Sequence, residues 1–170
     1  AHQRREVERG DTREIARKYI KLGDGYFADQ KYRDALNRYD RAIRTSPRLA
    51  EAYFRKGHVK VATGQYDAAS EAFRRGVAAE PAIARTPDFV EKLYGGNRLA
   101  RQAHLTALER AALESPDDGD VQFVLGVELF CEGLVHRAHE AFRKAAELTG
   151  DAPHVAAFVD SVRADSRATA

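Results

Sequence analysis

Residues 16–49 read ARKYIKLGDGYFADQKYRDALNRYDRAIRTSPRL, and part of this stretch recurs further along the chain. Four positions repeat at a constant spacing of 34, each with a residue of the same kind: Gly23 and Gly57, Ala35 and Ala69, Tyr39 and Phe73, Pro47 and Pro81. Three of them recur once more after one further period of 34 and one of 35: Gly126, Ala138 and Phe142. A period of this length is typical of stacked supersecondary units. It implies an intervening unit at about 84–118, which Pro116 closes.

The residue types at these positions predict pairs of antiparallel helices. Tyr19, Leu22 and Tyr26 have helical spacing on one face, while the small Gly23 and Ala35 allow two helices to approach closely. Proline ends the second helix of a pair because it lacks the backbone donor that a helix interior needs. We therefore expect nine helices, with breaks near Gln30, Pro47, Gly64, Pro81, Gly96, Pro116, Gly133 and Gly150.

The stretch from Tyr19 to Pro47 resembles the signature of the tetratricopeptide repeat family. The second unit departs from it at Lys56, Lys60 and Gly76, and the last unit departs at Gln122 and Gly150. The resemblance implies an all-α fold, a right-handed α-solenoid of about four antiparallel helix pairs with a degenerate third unit. The units span about 16–49, 50–83, 84–118 and 119–152. A C-terminal capping helix at about 153–165 carries the apolar stripe Val155, Phe158, Val159 and Val162.

The first residues read as a charged lead to a single domain that covers 12–170. Asp11 and Glu14 have the spacing of a capping box, which predicts a first helix from about Thr12 to Asp29. Residues 1–11 then form a disordered lead or the tail of an upstream helix. The chain contains no methionine, so we expect a processed product or a segment of a longer protein.

The third unit breaks the pattern. We expect a loop from Ala82 to Pro87, about two helical turns from Asp88 to Tyr94 and a long helix from about Asn97 to Glu114. His104 stands where the other units have a small alanine. The simplest interpretation is that His104 fills the space left by the shortened helix and bonds a loop carbonyl. The alternative is a secondary partner-binding pocket formed by Tyr94, Gly95, Gly96 and His104.

The first helix of each regular unit carries a second line of mostly apolar residues that packing within its own pair does not require. The three lines are Ile20, Asp24 and Phe27; Phe54, His58 and Val61; Phe123, Val127 and Phe130. The family resemblance implies that these lines face a concave groove in which peptides lie. We therefore predict a protein-protein interaction module that binds an apolar or amphipathic segment there, in an adaptor or assembly role.

Two alternatives stay open at this stage. The groove is filled by the chain itself, through the C-terminal helix or the shortened third unit, or it is filled by a second copy. A self-associating structural module, with the groove or the open N-terminal edge paired with another copy as a homodimer, is the second interpretation of function.

The best-known charged groove of the family grips a carboxylate with lysine and asparagine. This chain has Ile20 and Asp24 at those positions, so such a clamp is not expected. Arg17 and Arg55 are interpreted as solvated side chains, with steering of acidic partners as the alternative.

Catalysis, cofactors and metals are not expected. The chain has no glycine-rich phosphate loop, nucleophile elbow or paired carboxylate set. His136, His139, Cys131 and Glu140 include metal-ligand types, but Gly133 separates the cysteine from the histidines on different helices.

Charge and composition favour a protein or peptide partner over nucleic acid. The net charge is +5 over 1–49, 0 over 50–118 and −3 over 119–170, a gradient rather than a basic stripe. The basic lead RREVER also contains glutamates. No apolar run is long enough to cross a membrane, and the single Cys131 excludes an intramolecular disulfide. These features leave the compartment open, cytoplasmic or periplasmic, and an upstream signal or anchor is compatible with them.

Overall fold

The computed structural model of the chain describes residues 2–85 and 90–168. Within these ranges there are nine α-helices, one short 3₁₀ helix and no strand, as the all-α prediction requires. The α-helices are α1 (His2–Ala28), α2 (Tyr32–Thr45), α3 (Ala50–Ala62), α4 (Tyr66–Ala79), α5 (Val90–Leu93), α6 (Arg98–Glu114), α7 (Gly119–Cys131), α8 (Val135–Thr149) and α9 (Pro153–Ala168). All eight predicted breaks fall between consecutive α-helices.

The first helix begins earlier than the sequence predicts. α1 starts at His2 rather than at about Thr12, and Asp11 lies inside it, so the proposed capping box is wrong. The Gln, Arg and Glu residues of the lead are good helix formers. Because a single glycine such as Gly10 weakens a helix without breaking it, the charged lead continues into α1.

Three regular hairpins are closed by the same kind of turn. The residue that reverses the chain has a positive φ in each, 60° at Gln30, 71° at Gly64 and 74° at Gly133. The amide after it donates to the carbonyl five residues earlier, at 2.8 to 2.9 Å. This bond satisfies one of the carbonyls that the end of a helix leaves unpaired. The first hairpin is thus α1–α2, the second is α3–α4 and the last is α7–α8.

Each hairpin packs an aromatic ring against a glycine of the opposite helix. A Cβ atom placed on Gly23 would lie 2.5 Å from the Tyr39 ring, and one on Gly57 would lie 2.3 Å from the Phe73 ring. Gly126 approaches Phe142 in the same way, at 2.6 Å. The alanines beside these crossings, Ala35, Ala69 and Ala138, are fully buried. The repeated glycine therefore marks the place where the aromatic ring touches the backbone of the opposite helix, and a larger residue would not fit there.

The order of stacking skips the third unit. α2 packs against α3, and α4 packs against α7, so the last hairpin takes the place beside the second hairpin that a regular third unit would occupy. Ser70 of α4 donates a hydrogen bond of 2.6 Å to Asp120 of α7 across this junction. We call α5 and α6, which lie between the second and last hairpins in the chain, the insertion.

The insertion is degenerate because its first helix is too short to stack. α5 is one turn long, and Gly95 and Gly96, with φ of 57° and 82°, end it. The predicted loop from Ala82 is instead a 3₁₀ helix, Pro81–Arg85, in its described part. Pro87 and Asp88 lie outside the described residues. α6 is long, as expected, and it begins after Asn97, whose side chain caps the helix by accepting a hydrogen bond of 3.0 Å from the Ala100 amide.

Buried side chains form two hydrophobic clusters. The N-terminal cluster joins the first hairpin to α5, and the C-terminal cluster joins the second and last hairpins to α6 and α9. α9 carries the predicted stripe, of which Val155, Phe158 and Val162 are buried. It begins at Pro153 as expected and packs on α8, so it closes the C-terminal end of the stack.

Candidate functional site

The candidate site is the face that α1, α3 and α7 share, which we call the inner face. These are the first helices of the three hairpins, and they carry all nine residues that the sequence assigned to a groove. α1 and α3 are in contact, and α3 is joined to α7 by a side-chain hydrogen bond between His58 and Glu128. The three lines of residues therefore lie on neighbouring helices.

The inner face is not open: the side chains that the sequence predicted to face a concave groove are covered. Eight of the nine residues are buried: Ile20, Phe27, Phe54, His58, Val61, Phe123, Val127 and Phe130. Asp24 keeps 30% of its side chain exposed. The cause is the self-filled arrangement that the sequence left as an alternative, because helices of the same chain cover this face at both ends.

At the C-terminal end the covering element is α9. Its Phe158 ring lies 6.2 Å from the ring of Phe54, 5.8 Å from that of Phe123 and 6.3 Å from that of Phe130. It also stacks on Phe142 at 5.1 Å, with an angle of 17° between the rings. Three of the four predicted groove phenylalanines are therefore core residues around one side chain of α9.

At the N-terminal end the covering element is α5. The ring of Tyr94 meets the ring of Phe27 edge-on, with 5.0 Å between the centroids. A Cβ atom on Gly95 would lie 3.1 Å from the Cβ of Ala28, so the turn after α5 lies directly against α1. The predicted secondary pocket at Tyr94 and Gly95 is thus not separate from the predicted groove, because it packs directly against α1 and its groove residue Phe27.

Between these ends, α6 lies over α3 and α7. Its inward side chains Leu105, Leu108 and Ala112 are buried in the cluster that contains Val61 and Val127. An ion pair between Arg101 of α6 and Glu132, next to the end of α7, borders this contact, with about a fifth of each side chain exposed. Gln122 of α7 also donates to the Ala112 carbonyl at 3.3 Å.

His104 does not bond a loop carbonyl, as the simplest interpretation had it. Its Nδ1 lies 2.8 Å from the Tyr94 hydroxyl, and its ring lies edge-on to Tyr32 of the first hairpin. Burial lowers the pKa of His104, and the nearby Glu128 raises it by a smaller amount. Burial raises the pKa of the Tyr94 hydroxyl, so this group stays protonated and is able to donate to the imidazole.

Two groups of hydrogen-bonded polar side chains lie on or beside the inner face. His58 Nδ1 and Glu128 Oε1 are 2.7 Å apart with almost no exposure. Asp24 accepts from the Tyr39 hydroxyl at 2.7 Å and from Arg55 Nε at 3.0 Å. Arg55 is 13% exposed, so its interpretation as a solvated side chain is wrong, whereas Arg17 is exposed as expected.

Sequence reasoning missed Glu128, Arg101 and Glu132. The one available signal was that Glu128 interrupts the apolar run of α7. A carboxylate in a buried helix needs a polar partner, so this interruption predicts one. The partner, His58, lies 70 residues away in the chain. The Arg101–Glu132 pair spans 31 residues and leaves no trace in the repeat pattern, because the insertion has no equivalent in the other units.

The residues with metal-ligand chemistry do not converge in the part of the chain that the structure describes. No group of three or more His, Cys, Asp or Glu side chains suitable for a metal occurs among those residues. His136 is exposed on α8, and Cys131 packs against both hydrophobic clusters. Burial, with smaller contributions from Glu128 and Glu132, raises the pKa of the Cys131 thiol. Among the described residues, no helix is both long and apolar enough to cross a membrane.

Stacked antiparallel hairpins with glycine–aromatic crossings define an α-solenoid of helical repeats. Residues 26–85 match the family model described as Tetratricopeptide repeat. The resemblance that the sequence suggested is therefore confirmed over most of the first unit, from residue 26 onward, and over the second unit. Tetratricopeptide repeat proteins are generally non-catalytic modules for protein-protein interaction.

Three solved structures are similar to this chain over most of its length. Pseudomonas aeruginosa pilF is 23% identical, with 94% of this chain and 71% of that chain covered and a TM-score of 0.41. TTC0263 of Thermus thermophilus, a thermophilic TPR protein, is 18% identical over 89% and 82% of the two chains, with a TM-score of 0.40. The MamA RS-1 ArsTM double mutant is 25% identical over 79% and 75%, with a TM-score of 0.38. No curated protein matches the chain significantly.

Proposed function

We propose that this protein is an interaction module whose inner face binds an amphipathic helical segment in the position that α6 now occupies. The observation that carries the proposal is the way in which α6 packs on this face. One side of α6, with Leu105 and Leu108, is buried in the cluster that contains residues of α3 and α7, and the other side, with Leu99 and Leu113, is exposed to solvent. The chain thus supplies an example of the chemistry that its inner face accepts.

The chemistry of the occupant narrows the class of ligand. The inner face takes aliphatic side chains at i, i+3 and i+7, the positions of Leu105, Leu108 and Ala112. The carboxylate of Glu132 takes an arginine one turn before the first leucine. We therefore expect a helical segment with leucines and a basic residue, rather than a bare acidic tail.

Replacing α6 by a ligand helix has an energetic cost that the ligand must offset. Full burial of a leucine side chain is worth about 1.5 to 3 kcal/mol, so lifting Leu105 and Leu108 out of the core costs several kcal/mol. A ligand that brings equivalent anchors regains that amount. Because the open form is then a minor population, the apparent affinity of the unmodified chain is lowered by that small fraction.

The test uses a fluorescently labelled peptide of residues 97–114 and the full chain with Leu105→Ala and Leu108→Ala. The two substitutions weaken the hold of the chain's own α6 and leave α1, α3 and α7 unchanged. We expect this variant to bind the peptide at least tenfold more tightly than the unmodified chain does. The matched control is a peptide with the same two alanines, which should not bind.

A folding check and a milder variant guard against the possibility that the double variant simply unfolds. Circular dichroism checks that the variant is still folded, and Arg101→Ala offers a milder way to loosen α6 by removing its ion pair with Glu132. Adding Glu132→Ala to the loosened chain should weaken peptide binding. If the folded variants bind the peptide no better than the unmodified chain does, α6 is a fixed part of the fold and the proposal is wrong.

A second candidate function is self-association through the N-terminal end of the stack. The observation in its favour is that Ile15 and Leu22 of α1 are 45% and 54% exposed. Pairing of two copies through the inner face has no such support, because the chain's own helices occupy that face. Sedimentation velocity at several protein concentrations tests this function, since a dimer dissociates on dilution.

A further inference from the structure

The insertion contacts the first hairpin through a histidine, at a register where the regular units have a small alanine. His104 of α6 stands at the position of Ala35, Ala69 and Ala138 in those units. The three alanines are fully buried, whereas the imidazole of His104 is partly buried between the turn after α5 and the start of α2. A titratable ring therefore takes part in holding the insertion against the rest of the chain.

The surroundings of the His104 ring are mostly aromatic. The centre of this ring lies 5.6 Å from that of Tyr94 and 5.7 Å from that of Tyr32. The Tyr94 hydroxyl lies 2.8 Å from Nδ1, and Tyr94 is only 5% exposed because it packs edge-on against Phe27 of α1. A neutral imidazole is able to accept the hydroxyl proton at Nδ1. A protonated imidazole carries a hydrogen on Nδ1 and no longer accepts it.

Both features favour a neutral His104 while the insertion is closed. The aromatic neighbours replace water that would solvate a charged ring, and desolvation disfavours the charged form. Protonation also removes the acceptor of the Tyr94 hydroxyl, a donor with little access to solvent. Burial accordingly lowers the pKa of His104, and Glu128 opposes this effect only in part. When α6 lifts away, the ring returns to water and both penalties disappear.

Other charged or titratable side chains occur on α6 and on the elements that contact it. They form three pairs: His58 with Glu128, Arg101 with Glu132, and Glu109 with Arg137. All of them stay in place when His104 alone is replaced. A comparison of the unmodified chain with a His104 variant therefore isolates the contribution of this imidazole.

We infer that protonation of His104 loosens the insertion, so that acidification uncovers the inner face. The open form takes up a proton more readily than the closed form, so the proton acts as a ligand that shifts the population towards the open form. Above about pH 6.5, the ordinary pKa of histidine, both forms are neutral at this position and the insertion keeps its full stability. Below that pH the closed form loses stability, until it also takes up the proton.

This inference describes the regulation of the face to which the proposed function assigns ligand binding. It rests on that proposal in one respect, that the uncovered inner face is the binding surface. The opening of the insertion is measured without any ligand, however. A failure to open on acidification is therefore distinct from a failure of the loosened chain to bind the peptide of residues 97–114.

The test compares amide hydrogen exchange of the full chain at about pH 5 and at about pH 7.5, on either side of the ordinary pKa of histidine. An unstructured peptide of the same sequence corrects for the intrinsic pH dependence of exchange. If only the open form took up the proton, protection of residues 98–114 would fall by about 30-fold at the lower pH, which is the upper limit of the effect. We expect a fall of at least about fivefold, because the closed form takes up the proton less readily.

His104→Asn is the decisive variant. The asparagine oxygen is separated from the backbone by the same number of bonds as Nδ1, so it offers the Tyr94 hydroxyl an acceptor that does not titrate. The matched control is His154→Asn. Burial also lowers the pKa of His154, but this ring lies on α9, with its centre 4.7 Å from that of Phe123. The acid-induced fall in protection of α6 should persist in His154→Asn and shrink to less than about twofold in His104→Asn.

Three results would each overturn the inference. The first is protection of α6 that does not fall in the unmodified chain, and the second is an equal fall in His104→Asn. The third is an equal fall in α3, α4 and α6, since acid would then unfold the whole chain rather than release the insertion. Circular dichroism at both pH values checks that the variants are folded. If His104→Asn is not folded, His104→Gln takes its place, because glutamine does not titrate and is a better helix former.

Discussion

The regular hairpins and the insertion are both helical, but different contacts hold them in place. Each hairpin is fixed by contacts within itself, such as Gly57 against the Phe73 ring. The insertion depends on contacts with other units, such as Tyr94 on Phe27 and Arg101 beside Glu132. The hairpins therefore determine whether the chain folds, and the insertion determines which face of the folded chain is accessible.

The largest expected effect is in the aromatic cluster that joins α9 to the hairpins. Phe54→Ala and Phe123→Ala each remove a buried ring next to Phe158, so each should destabilise the protein by about 3 to 5 kcal/mol. Chemical denaturation with urea measures the change. An unchanged midpoint for both variants would mean that these rings face an open groove after all, which would remove the contrast between the two regions.

A smaller and more local effect is expected in the insertion. Leu108→Ala removes a fully buried side chain of α6 and should lower the opening free energy of that helix by about 2 kcal/mol or more. Hydrogen exchange should therefore speed up at the amides of residues 98–114, with little change in α3 and α4. Equal acceleration in all helices would show that the insertion and hairpins open as one unit.

The glycine–aromatic crossings should respond to a single methyl group. Gly57→Ala places a Cβ atom 2.3 Å from the Phe73 ring, and we expect a loss of about 1 to 3 kcal/mol from overpacking. Gly25→Ala is the matched control, because Gly25 lies in α1 with nothing near its Cβ position. That change should stabilise the protein by about 0.5 to 1 kcal/mol. Thermal melts of the two variants should shift in opposite directions.

The smallest effect is expected at the turn of the first hairpin. Gln30 has a φ of 60° where the equivalent positions are Gly64 and Gly133. A left-handed conformation costs a non-glycine residue about 1 to 2 kcal/mol, and glycine loses part of that gain through its more flexible unfolded state. Gln30→Gly should therefore stabilise the chain by about 0.5 to 1 kcal/mol. Gly64→Gln, measured by the same urea titration, should destabilise it.

The hairpins were predictable from the sequence because their defining contacts recur with the period. Gly23 and Tyr39 have the same separation in the chain as Gly57 and Phe73, so the same contact occurs in both hairpins. The register of Ala35, Ala69 and Ala138 followed from that repetition, and most of the breaks between helices followed from a proline or glycine near each of them.

The covering of the inner face was not predictable in the same way. It depends on single contacts between distant residues, such as Phe158 on Phe54 and Tyr94 on Phe27, which no other unit repeats. The start of α1 was missed for a local reason. A carboxylate three residues before a glutamate fits a helix cap and a helix interior equally well, and here the interior applies.

The junction between α4 and α7 has a consequence for how the chain folds during synthesis. The first two hairpins are built from contacts between neighbouring segments, which form quickly once those segments are available. The side of α4 that receives α7 must wait, since Ser70 finds its partner Asp120 only 50 residues later. During that interval we expect the surface of α4 that later receives α7 to stay exposed to solvent, a condition that favours aggregation of a partly made chain.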